Sequence, residues 1–260
     1  MSKFLELFNV KKPVIGMLHL NIQSETREKT LELAKRELNT YLENGIDAVI
    51  VENYFGDVKD VENMLQYLSE NRRDVNYGIN VLGDYHEAFR LAKKYNAKFI
   101  QIDSVSGHLE SQEDIQYEKQ LSRLRESVNI PVIGGVRFKY QPYLSGRTLE
   151  EDLRTGMTRC DGIVVTGDAT GVETDKGTIR QFRSVIGDFP LIIGAGLTPQ
   201  NCNSLLIADA AIVGSYVKDN HRDTGIVSAE NVKELMNAIK EIREKAVNNE
   251  IKQSDGDFDR

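Results

Sequence analysis

The chain has 260 residues, of which 40% are hydrophobic and 28% are charged, and its formal net charge is −7. This length suits one large domain, and the mixture of acidic and basic residues disfavours a general nucleic-acid binder, which normally carries a basic stripe. No run approaches the roughly 20 apolar residues that a membrane helix needs, so we expect neither membrane insertion nor nucleic-acid binding.

The two ends of the chain differ from its middle. Residues 1–12, MSKFLELFNVKK, contain no apolar core of a secretion signal, and we predict an N-terminal lead-in and a cytoplasmic location. Residues 248–260 are polar, and we predict a frayed tail. Cys160 and Cys202 lie far apart and lack nearby histidine ligands, so we predict that both are reduced and buried.

Short apolar segments recur along the chain and are rich in Val and Ile, as is typical of parallel strands that are covered on the outside. They occupy residues 13–18, 47–52, 77–82, 98–103, 131–136, 161–166, 190–195 and 209–214. Helical patterns lie between them, with predicted N-caps at Asp57, Asp84 and Thr148. This alternation predicts a single-domain (β/α)8 TIM barrel over residues 13–247. A doubly wound open sheet is the alternative, but the first βα turn lacks its dinucleotide fingerprint.

The loops indicate which end of the barrel is functional. The helix-to-strand loops are minimal, whereas the strand-to-helix loops are longer and polar. The longer loops read HLNIQS (19–24), DSVSGHLES (103–111), FKYQPYLSGR (138–147) and GDATGVET (167–174). In a TIM barrel these loops all lie at the carboxyl-terminal ends of the strands, where active sites are built.

Polar residues stand at the predicted strand ends, and their mixture of carboxylates and bases suits a small polar substrate. Because residues two positions apart share a strand face, we expect three pairs to point together. They are Gln101 with Asp103, Arg137 with Lys139, and, if the strand extends that far, Thr166 with Asp168.

Five of these residues are our candidates for catalysis: His19, Glu52, Asp103, Lys139 and Asp168. Each carboxylate is a candidate general acid or base, and for Asp168 the alternative is helix capping or loop bracing. His19 is either an acid/base group or a structural histidine held by hydrogen bonds.

The basic residues after strand 5 also allow several roles. Lys139 is a candidate for a Schiff base, a proton donor or a partner of an anionic substrate, and the alternative is a solvent-facing lysine. Arg137 is either a clamp for a substrate phosphate or carboxylate, or the ion-pair partner of Glu52 or Asp103 on a neighbouring strand.

An anion site is predicted at GAGLT (194–198) and at Gly214-Ser215. The glycines allow backbone N–H groups to approach a ligand, and Thr198-Pro199 reads as the start of a helix whose positive end faces the same place. The alternative is that the glycines only serve tight turns. The candidate substrate- or anion-binding residues are Asn53, Arg137, Thr166, Gly167, Thr170, Gly194, Ala195, Gly196, Thr198, Gly214 and Ser215.

The sequence contains no pair of histidines or cysteines at the spacing of a zinc site, and we predict no resident metal or cofactor. Magnesium is the one alternative, because Glu52, Asp103 and Asp168 are together a candidate ligand set for Mg²⁺.

Six segments carry a resemblance to a known family. They read IGMLHL, DAVIVENYFGD, INVLGDYHEAFRLA, DGIVVTGDATGVETD, LIIGAGLTPQN and AAIVGSYVK, in order from about residue 13 to 240. In order and spacing the chain resembles the BtpA/SgcQ family, which implies a TIM barrel. Two segments depart from the family pattern: LGDYH stands where relatives read LRNDA, and FKYQ keeps only Lys139 of VKHA.

Two functions follow from these patterns. The first is a cytoplasmic enzyme that acts on a phosphorylated sugar or a nucleoside- or nucleotide-like compound, by acid/base chemistry of an isomerase, a lyase or a glycosidic-bond hydrolase. The second, which the resemblance implies, is a non-catalytic assembly factor related to photosystem I biogenesis in cyanobacteria. We expect a small anionic or phosphorylated ligand as the partner of the enzyme, and a homo-oligomer is compatible with the barrel.

Overall fold

A computed structural model of the chain describes residues 3–20 and 26–257, with side chains described as far as residue 248. In this part of the chain, eight parallel strands close into a barrel in sequence order, and β1 pairs with both β2 and β8. The predicted TIM barrel is therefore confirmed. Residues 21–24 of the predicted first strand-to-helix loop lie outside the described residues.

The strands and helices have the following bounds. The strands are β1 Val14–His19, β2 Ala48–Glu52, β3 Tyr77–Asn80, β4 Phe99–Ser106, β5 Val132–Val136, β6 Gly162–Val165, β7 Leu191–Ile193 and β8 Ala210–Val213. The α-helices are α1 Arg27–Glu43, α2 Val58–Asn71, α3 Tyr85–Tyr95, α4 Ser111–Ser127, α5 Leu149–Arg159, α6 Lys176–Ile186 and α7 Ala229–Asp257. Two short 3-10 helices occupy Leu5–Leu7 and Cys202–Leu206.

The connection between β7 and β8 differs from the prediction. The predicted α-helix with Thr198 as its N-cap is wrong, because the chain forms only the 3-10 helix Cys202–Leu206 there. The side chain of Asn201 closes the preceding turn: its Oδ1 accepts the Thr198 N–H at 2.8 Å and its Nδ2 donates to the Gly196 carbonyl at 2.8 Å. An anion site at this turn therefore has no α-helix dipole behind it.

The predicted helix starts elsewhere are confirmed. Asp57 and Thr148 each form a complete capping box, and the Asp84 side chain accepts the Glu87 N–H at 3.0 Å. These caps satisfy N–H groups that the first helical turn leaves without partners, so they set where each helix begins after its strand-to-helix loop.

The core has two layers because successive strand residues point to opposite faces. One face packs against the helices, and the other fills the barrel interior. The interior cluster consists of Phe4, Ile15, Met17, Ala48, Ile50, Phe99, Ile133, Phe138, Val164, Ile192, Ala210 and Ile212. Both cysteines are free and buried, as predicted. Within the described residues, no helix has the length and apolar character needed to cross a membrane.

The N-terminal segment contributes to this interior cluster. Phe4 is fully buried, and its ring meets the ring of Phe99 edge to face at a centroid distance of 5.5 Å. Asn76, which precedes β3, donates a hydrogen bond to the Leu7 carbonyl at 3.0 Å. Residues 3–8 therefore cover the amino-terminal end of the barrel, opposite the strand-to-helix loops.

This packing predicts that Phe4→Ala lowers the free energy of unfolding by about 3–5 kcal/mol, because it leaves a cavity in a fully buried cluster. Urea unfolding followed by circular dichroism measures the loss. Val10→Ala is the control, since Val10 is exposed in the same segment and its truncation changes stability by about 0.5 kcal/mol or less. Equal urea midpoints for the two variants would contradict the packing role of Phe4.

Candidate functional site

The two-residue period of the strands leads from the apolar interior to a polar mouth. Above Met17 on β1 comes His19, above Ile50 on β2 comes Glu52, and above Phe99 on β4 come Gln101 and Asp103. These side chains border a cavity of about 320 Å³ at the carboxyl-terminal ends of the strands, which we call the first cavity. Gln101 and Asp103 point together, as predicted.

Most of the predicted site residues meet in the first cavity. Those that line it are His19, Glu52, Asp103, Lys139, Thr170, Gly194, Ala195, Gly196, Gly214 and Ser215. The lining also includes residues to which sequence reasoning gave no role, among them Tyr54, Phe138, Tyr140 and Gln141.

Two carboxyl groups share one amide at the floor of the mouth. The Nδ2 of Asn80 donates to Glu52 Oε1 at 2.7 Å and to Asp103 Oδ1 at 3.0 Å. Burial, together with the charge of Asp103, raises the pKa of Glu52 to about 8, and the Asn80 hydrogen bond opposes this shift. Burial also raises the pKa of Asp103. Glu52 is therefore protonated at neutral pH and has a proton to give.

His19 lies directly beside Glu52. Its Nε2 is 3.5 Å from Glu52 Oε2, and its ring stacks on the ring of Tyr54 at a centroid distance of 4.4 Å. Burial and the charge of Lys218 lower the pKa of His19 to about 3. His19 is consequently a neutral imidazole at neutral pH, and the pair has no ionic character there.

Lys139 brings its amine into the same space. Its backbone N–H donates to Thr166 Oγ1 at 3.3 Å, which fixes the chain beyond β5. Burial lowers the pKa of Lys139, and the nearby carboxyls of Glu52 and Asp103 oppose the shift. Lys139 therefore faces the first cavity, and the alternative of a solvent-facing lysine is not observed.

Arg137 does not accompany Lys139, and the expectation that the two point together is wrong. β5 ends at Val136, and Arg137 adopts a left-handed backbone with φ of 49°, which ends the strand alternation. Its Nε donates to Asp152 Oδ2 at 2.8 Å and its Nη2 to the Arg147 carbonyl at 2.6 Å. Arg137 thus pairs with Asp152 on α5, not with Glu52 or Asp103 as the alternative had it, and it does not line the first cavity.

Asp168 is also absent from the cavity wall. β6 ends at Val165, so the expected common face of Thr166 and Asp168 does not form, and Asp168 is exposed on the following loop. Among the residues that the structure describes, no three His, Cys, Asp or Glu side chains cluster as a metal site would require. The predicted Mg²⁺ set of Glu52, Asp103 and Asp168 is therefore not brought together.

The remaining predicted binding residues support the loops and do not line the cavity. Asn53 Oδ1 accepts the Leu82 N–H at 2.8 Å. Thr166 Oγ1 accepts the Lys139 N–H, and the Thr198 N–H donates to Asn201 Oδ1. A Cβ on Gly167 would lie 2.7 Å from the Glu173 carbonyl oxygen, so this glycine accommodates the turn of its own loop.

The glycines after β7 are required by the chain's own packing. A Cβ on Gly194 would lie 2.4 Å from Val164 Cγ1, and Gly196, with φ of 70°, would place a Cβ 2.2 Å from the Val172 carbonyl oxygen. We predicted that a ligand approaches the backbone of Gly196 closely. In the structure the loop after β6 makes this close approach. The backbone at 194–196 still forms one wall of the first cavity, next to Gly214 and Ser215.

Loop side chains close the upper part of the mouth. The Tyr54 hydroxyl donates to Asp223 Oδ2 at 2.9 Å and lies 3.3 Å from Thr170 Oγ1. The Tyr140 hydroxyl accepts the Thr170 N–H at 2.8 Å. These contacts join the loops after β2, β5, β6 and β8 around the entrance.

The loop that carries Asp223 is anchored by a buried ion pair. Lys218 Nζ lies 2.8 Å from Glu37 Oε1, and the same oxygen accepts the Val227 N–H at 2.9 Å. Lys218 and Val227 also form an antiparallel bridge. Glu37 on α1 therefore holds both ends of the loop that places Asp223 against Tyr54.

The sequence carried a signal for some of the missed residues. Tyr54 is two positions beyond Glu52, so extending the two-residue period of β2 past its last residue would have placed Tyr54 on the same face as Glu52. Tyr140 and Asp223 stand on irregular loops, where no period relates a side chain to the barrel axis, and only the three-dimensional structure brings them to the mouth.

The family model described as the BtpA family matches residues 10–241. The protein TK2179 of Thermococcus kodakarensis is 31% identical to this chain, and the match covers 91% of this chain and 98% of that protein. The photosystem I biogenesis protein BtpA of Synechocystis sp. is 26% identical over 82% of this chain and 83% of its own. The sgc region protein SgcQ of Escherichia coli is 23% identical over 94% and 100%.

Solved structures share the fold at low sequence identity. Phosphoribosyl anthranilate isomerase from Thermus thermophilus superposes with a TM-score of 0.60 at 15% identity, covering 88% of this chain and 99% of the isomerase. The (S)-3-O-geranylgeranylglyceryl phosphate synthase from Thermoplasma acidophilum, in complex with sn-glycerol-1-phosphate, gives 0.59 at 14% identity, covering 90% and 94%. At these identities the likeness shows the TIM-barrel fold.

The raised pKa of Glu52 predicts how stability depends on pH. Glu52 holds its proton up to pH about 8 in the folded protein but only up to about 4.5 when unfolded. Between these values the folded state binds more protons, so the free energy of unfolding falls by about 1.4 kcal/mol for each pH unit that the pH rises. Glu52→Gln, which carries no titrating proton, removes this contribution.

Urea unfolding at pH 5, 6, 7 and 8 checks this expectation. The wild-type free energy should decline relative to that of Glu52→Gln across the range. Glu126→Gln, on the exposed face of α4, is the control and should follow the wild type. Parallel wild-type and Glu52→Gln curves would show that Glu52 does not carry its proton to high pH.

Proposed function

The chain belongs to the BtpA family, and we propose that it is a cytoplasmic enzyme that acts on a small phosphorylated substrate by acid/base chemistry at the barrel mouth. The substrate class is a sugar phosphate or a nucleoside- or nucleotide-like compound. The observation that carries the proposal is the pair of carboxyls at Glu52 and Asp103, which share the Asn80 amide and line the first cavity with the half-buried Lys139.

Glu52 is the proposed general acid. A general acid works best when its pKa lies near the working pH, because the group is then protonated and still gives up its proton readily. With a pKa raised to about 8, the buried Glu52 meets this condition, whereas an exposed glutamate does not. Asp103, which is half-buried beside it, is the proposed base for the complementary proton transfer.

Lys139 supplies the positive charge. Isomerisation, lyase chemistry and glycosidic-bond cleavage all develop negative charge on a substrate oxygen, and a cation in a water-poor site stabilises that charge strongly. The amine of Lys139 lines the first cavity with Glu52 and Asp103, so it can serve either the developing charge or the substrate's own anion.

The proposed anion site is the wall formed by residues 194–196 and Gly214-Ser215, with the Thr170 hydroxyl beside it. Loops after strands 7 and 8 often form the phosphate site of TIM barrels. Two solved proteins of this fold are named for phosphorylated compounds, the isomerase from Thermus thermophilus and the synthase with bound sn-glycerol-1-phosphate. These names make a phosphorylated substrate compatible with the fold.

The second candidate is a non-catalytic assembly factor, which the name of the Synechocystis relative, a photosystem I biogenesis protein, suggests. The observation that favours it is a group of exposed apolar side chains on the loop after β5, formed by Tyr140, Tyr143 and Leu144. A binding role does not use the proton of Glu52 or the amine of the half-buried Lys139, and for this reason we place the enzyme first.

Variants at the mouth test the proposal. Glu52→Gln and Lys139→Met should each reduce turnover at least about 100-fold, since each removes a group that acts in the transition state. Wild-type turnover should fall above pH about 8, where Glu52 loses its proton. The measurement is product formation by NMR with a panel of sugar phosphates and nucleoside monophosphates.

The matched control is Asp168→Asn, because Asp168 is exposed and lies outside the cavity lining. It should retain wild-type turnover. A thermal-shift screen with the same panel finds the ligand first, because a compound at 100 times its Kd stabilises the folded state by about 2.7 kcal/mol. If no phosphorylated compound stabilises folded, monodisperse protein, the enzyme proposal is wrong.

A further inference from the structure

A second cavity adjoins the first at the barrel mouth. It has a volume of about 460 Å³ and lies between the loops after β3 and β4, over the carboxyl-terminal end of β4. Gly83, Gln101, Asp103 and Gln141 line both cavities. One ligand can therefore extend from the first cavity into the second without crossing solvent.

Three residues that line this second cavity each carry a buried polar atom with no hydrogen-bond partner. The atoms are Gln101 Oε1, Ser104 Oγ and His108 Nδ1. Gln101 and Ser104 are each only 5% exposed. A buried polar atom without a partner costs free energy, and such atoms in a folded protein call for an explanation. Their convergence on one cavity indicates groups that are kept for a ligand.

The charges around the second cavity select against an anion. Three carboxylates line it, those of Asp84, Asp103 and Glu113, and within the described part of the chain no Lys or Arg does. Burial lowers the pKa of His108 to about 4, so its ring is neutral at neutral pH. The first cavity, by contrast, contains Lys139. The anionic part of a ligand is thus confined to the first cavity.

Two tyrosine rings give the second cavity a firm wall. The Tyr85 hydroxyl donates to Gln120 Oε1 at 2.8 Å, and the Tyr117 hydroxyl donates to the Ser104 carbonyl at 2.9 Å. The two rings meet edge to face at a centroid distance of 5.2 Å. Because both hydroxyls already donate hydrogen bonds within the protein, the unpartnered atoms of Gln101, Ser104 and His108 are left to recognise the ligand.

We infer that the second cavity binds an uncharged, hydrogen-bonding part of the substrate, either the hydroxyls of a sugar or the edge of a heterocyclic base. The anionic part of the same molecule lies in the first cavity, and this assignment rests on the proposed function. Asp103 lines both cavities, so the reacting bond lies where the two parts of the substrate join.

Calorimetric titration with defined probes tests the inference. The probes are inorganic phosphate, ribose 5-phosphate, uridine 5′-monophosphate, ribose and uridine. The wild type should bind ribose 5-phosphate or uridine 5′-monophosphate at least about tenfold more tightly than inorganic phosphate. Tighter binding of ribose 5-phosphate identifies recognition of a sugar, and tighter binding of uridine 5′-monophosphate identifies recognition of a base. Ser104→Ala and Gln101→Leu should each remove about five- to tenfold of that gain, as expected for a lost hydrogen bond.

The same variants separate binding from structure. Since neither Ser104 Oγ nor Gln101 Oε1 has a partner in the protein, Ser104→Ala and Gln101→Leu should melt at or above the wild-type temperature. The affinity of Ser104→Ala for inorganic phosphate should stay at the wild-type value, because Ser104 lines only the second of the two cavities. Gln66→Leu, on the exposed face of α2, is the matched control and should leave every affinity unchanged.

The inference is overturned if Ser104→Ala and Gln101→Leu weaken inorganic phosphate and the larger probes by equal factors, or weaken none. It is overturned as well if the wild type binds none of the five probes. If only ribose or uridine binds, and Ser104→Ala weakens that binding, the second cavity stands and the proposed phosphate substrate fails. The two proposals therefore fail in different experiments.

Discussion

The burial of the Glu52 carboxyl is the constraint on which the mouth of this barrel depends. Closed parallel strands leave no room for water beneath it, since Met17, Ile50 and Val164 fill the interior. A carboxylate at that depth lacks solvation, so the proton stays on Glu52 and the pKa rises to about 8. The Asn80 amide and the neutral His19 beside it are compatible with a protonated carboxyl and need no counter-ion.

The sequence predicted those parts of the molecule that follow a period. Alternation of strands and helices gave the barrel, because each Val- and Ile-rich strand must be covered on both sides. Within a strand, the period of two that puts Ile50 inside also puts Glu52 inside, and it relates Phe99 to Gln101 and Asp103 in the same way. Site residues that lie within strands are therefore predictable from sequence.

The predictions that are wrong concern residues beyond the ends of the strands. Arg137 is one residue past β5 and turns away through a left-handed backbone, and Asp168 follows β6 by three residues on an exposed loop. The α-helix expected at Thr198 is replaced by a turn that the Asn201 side chain closes. Such local hydrogen bonds compete with helix formation, and the pattern of apolar residues does not predict them.

The polar groups beside the barrel mouth differ in their hydrogen-bond partners. Next to the mouth, Arg147 and Arg159 satisfy Asp114, and the arginine hydrogen bonds help to lower the pKa of that carboxyl to about 2 against the effect of its burial. That network pairs the charge of Asp114 and braces the loops after β4 and β5, although the buried Nε of Arg159 has no hydrogen-bond partner. Ser104 and Gln101 stand on β4 itself and have buried atoms without partners. Because folding alone favours satisfied polar groups, the unpartnered atoms of Ser104 and Gln101 beside a cavity are the observation on which the inferred ligand contact rests.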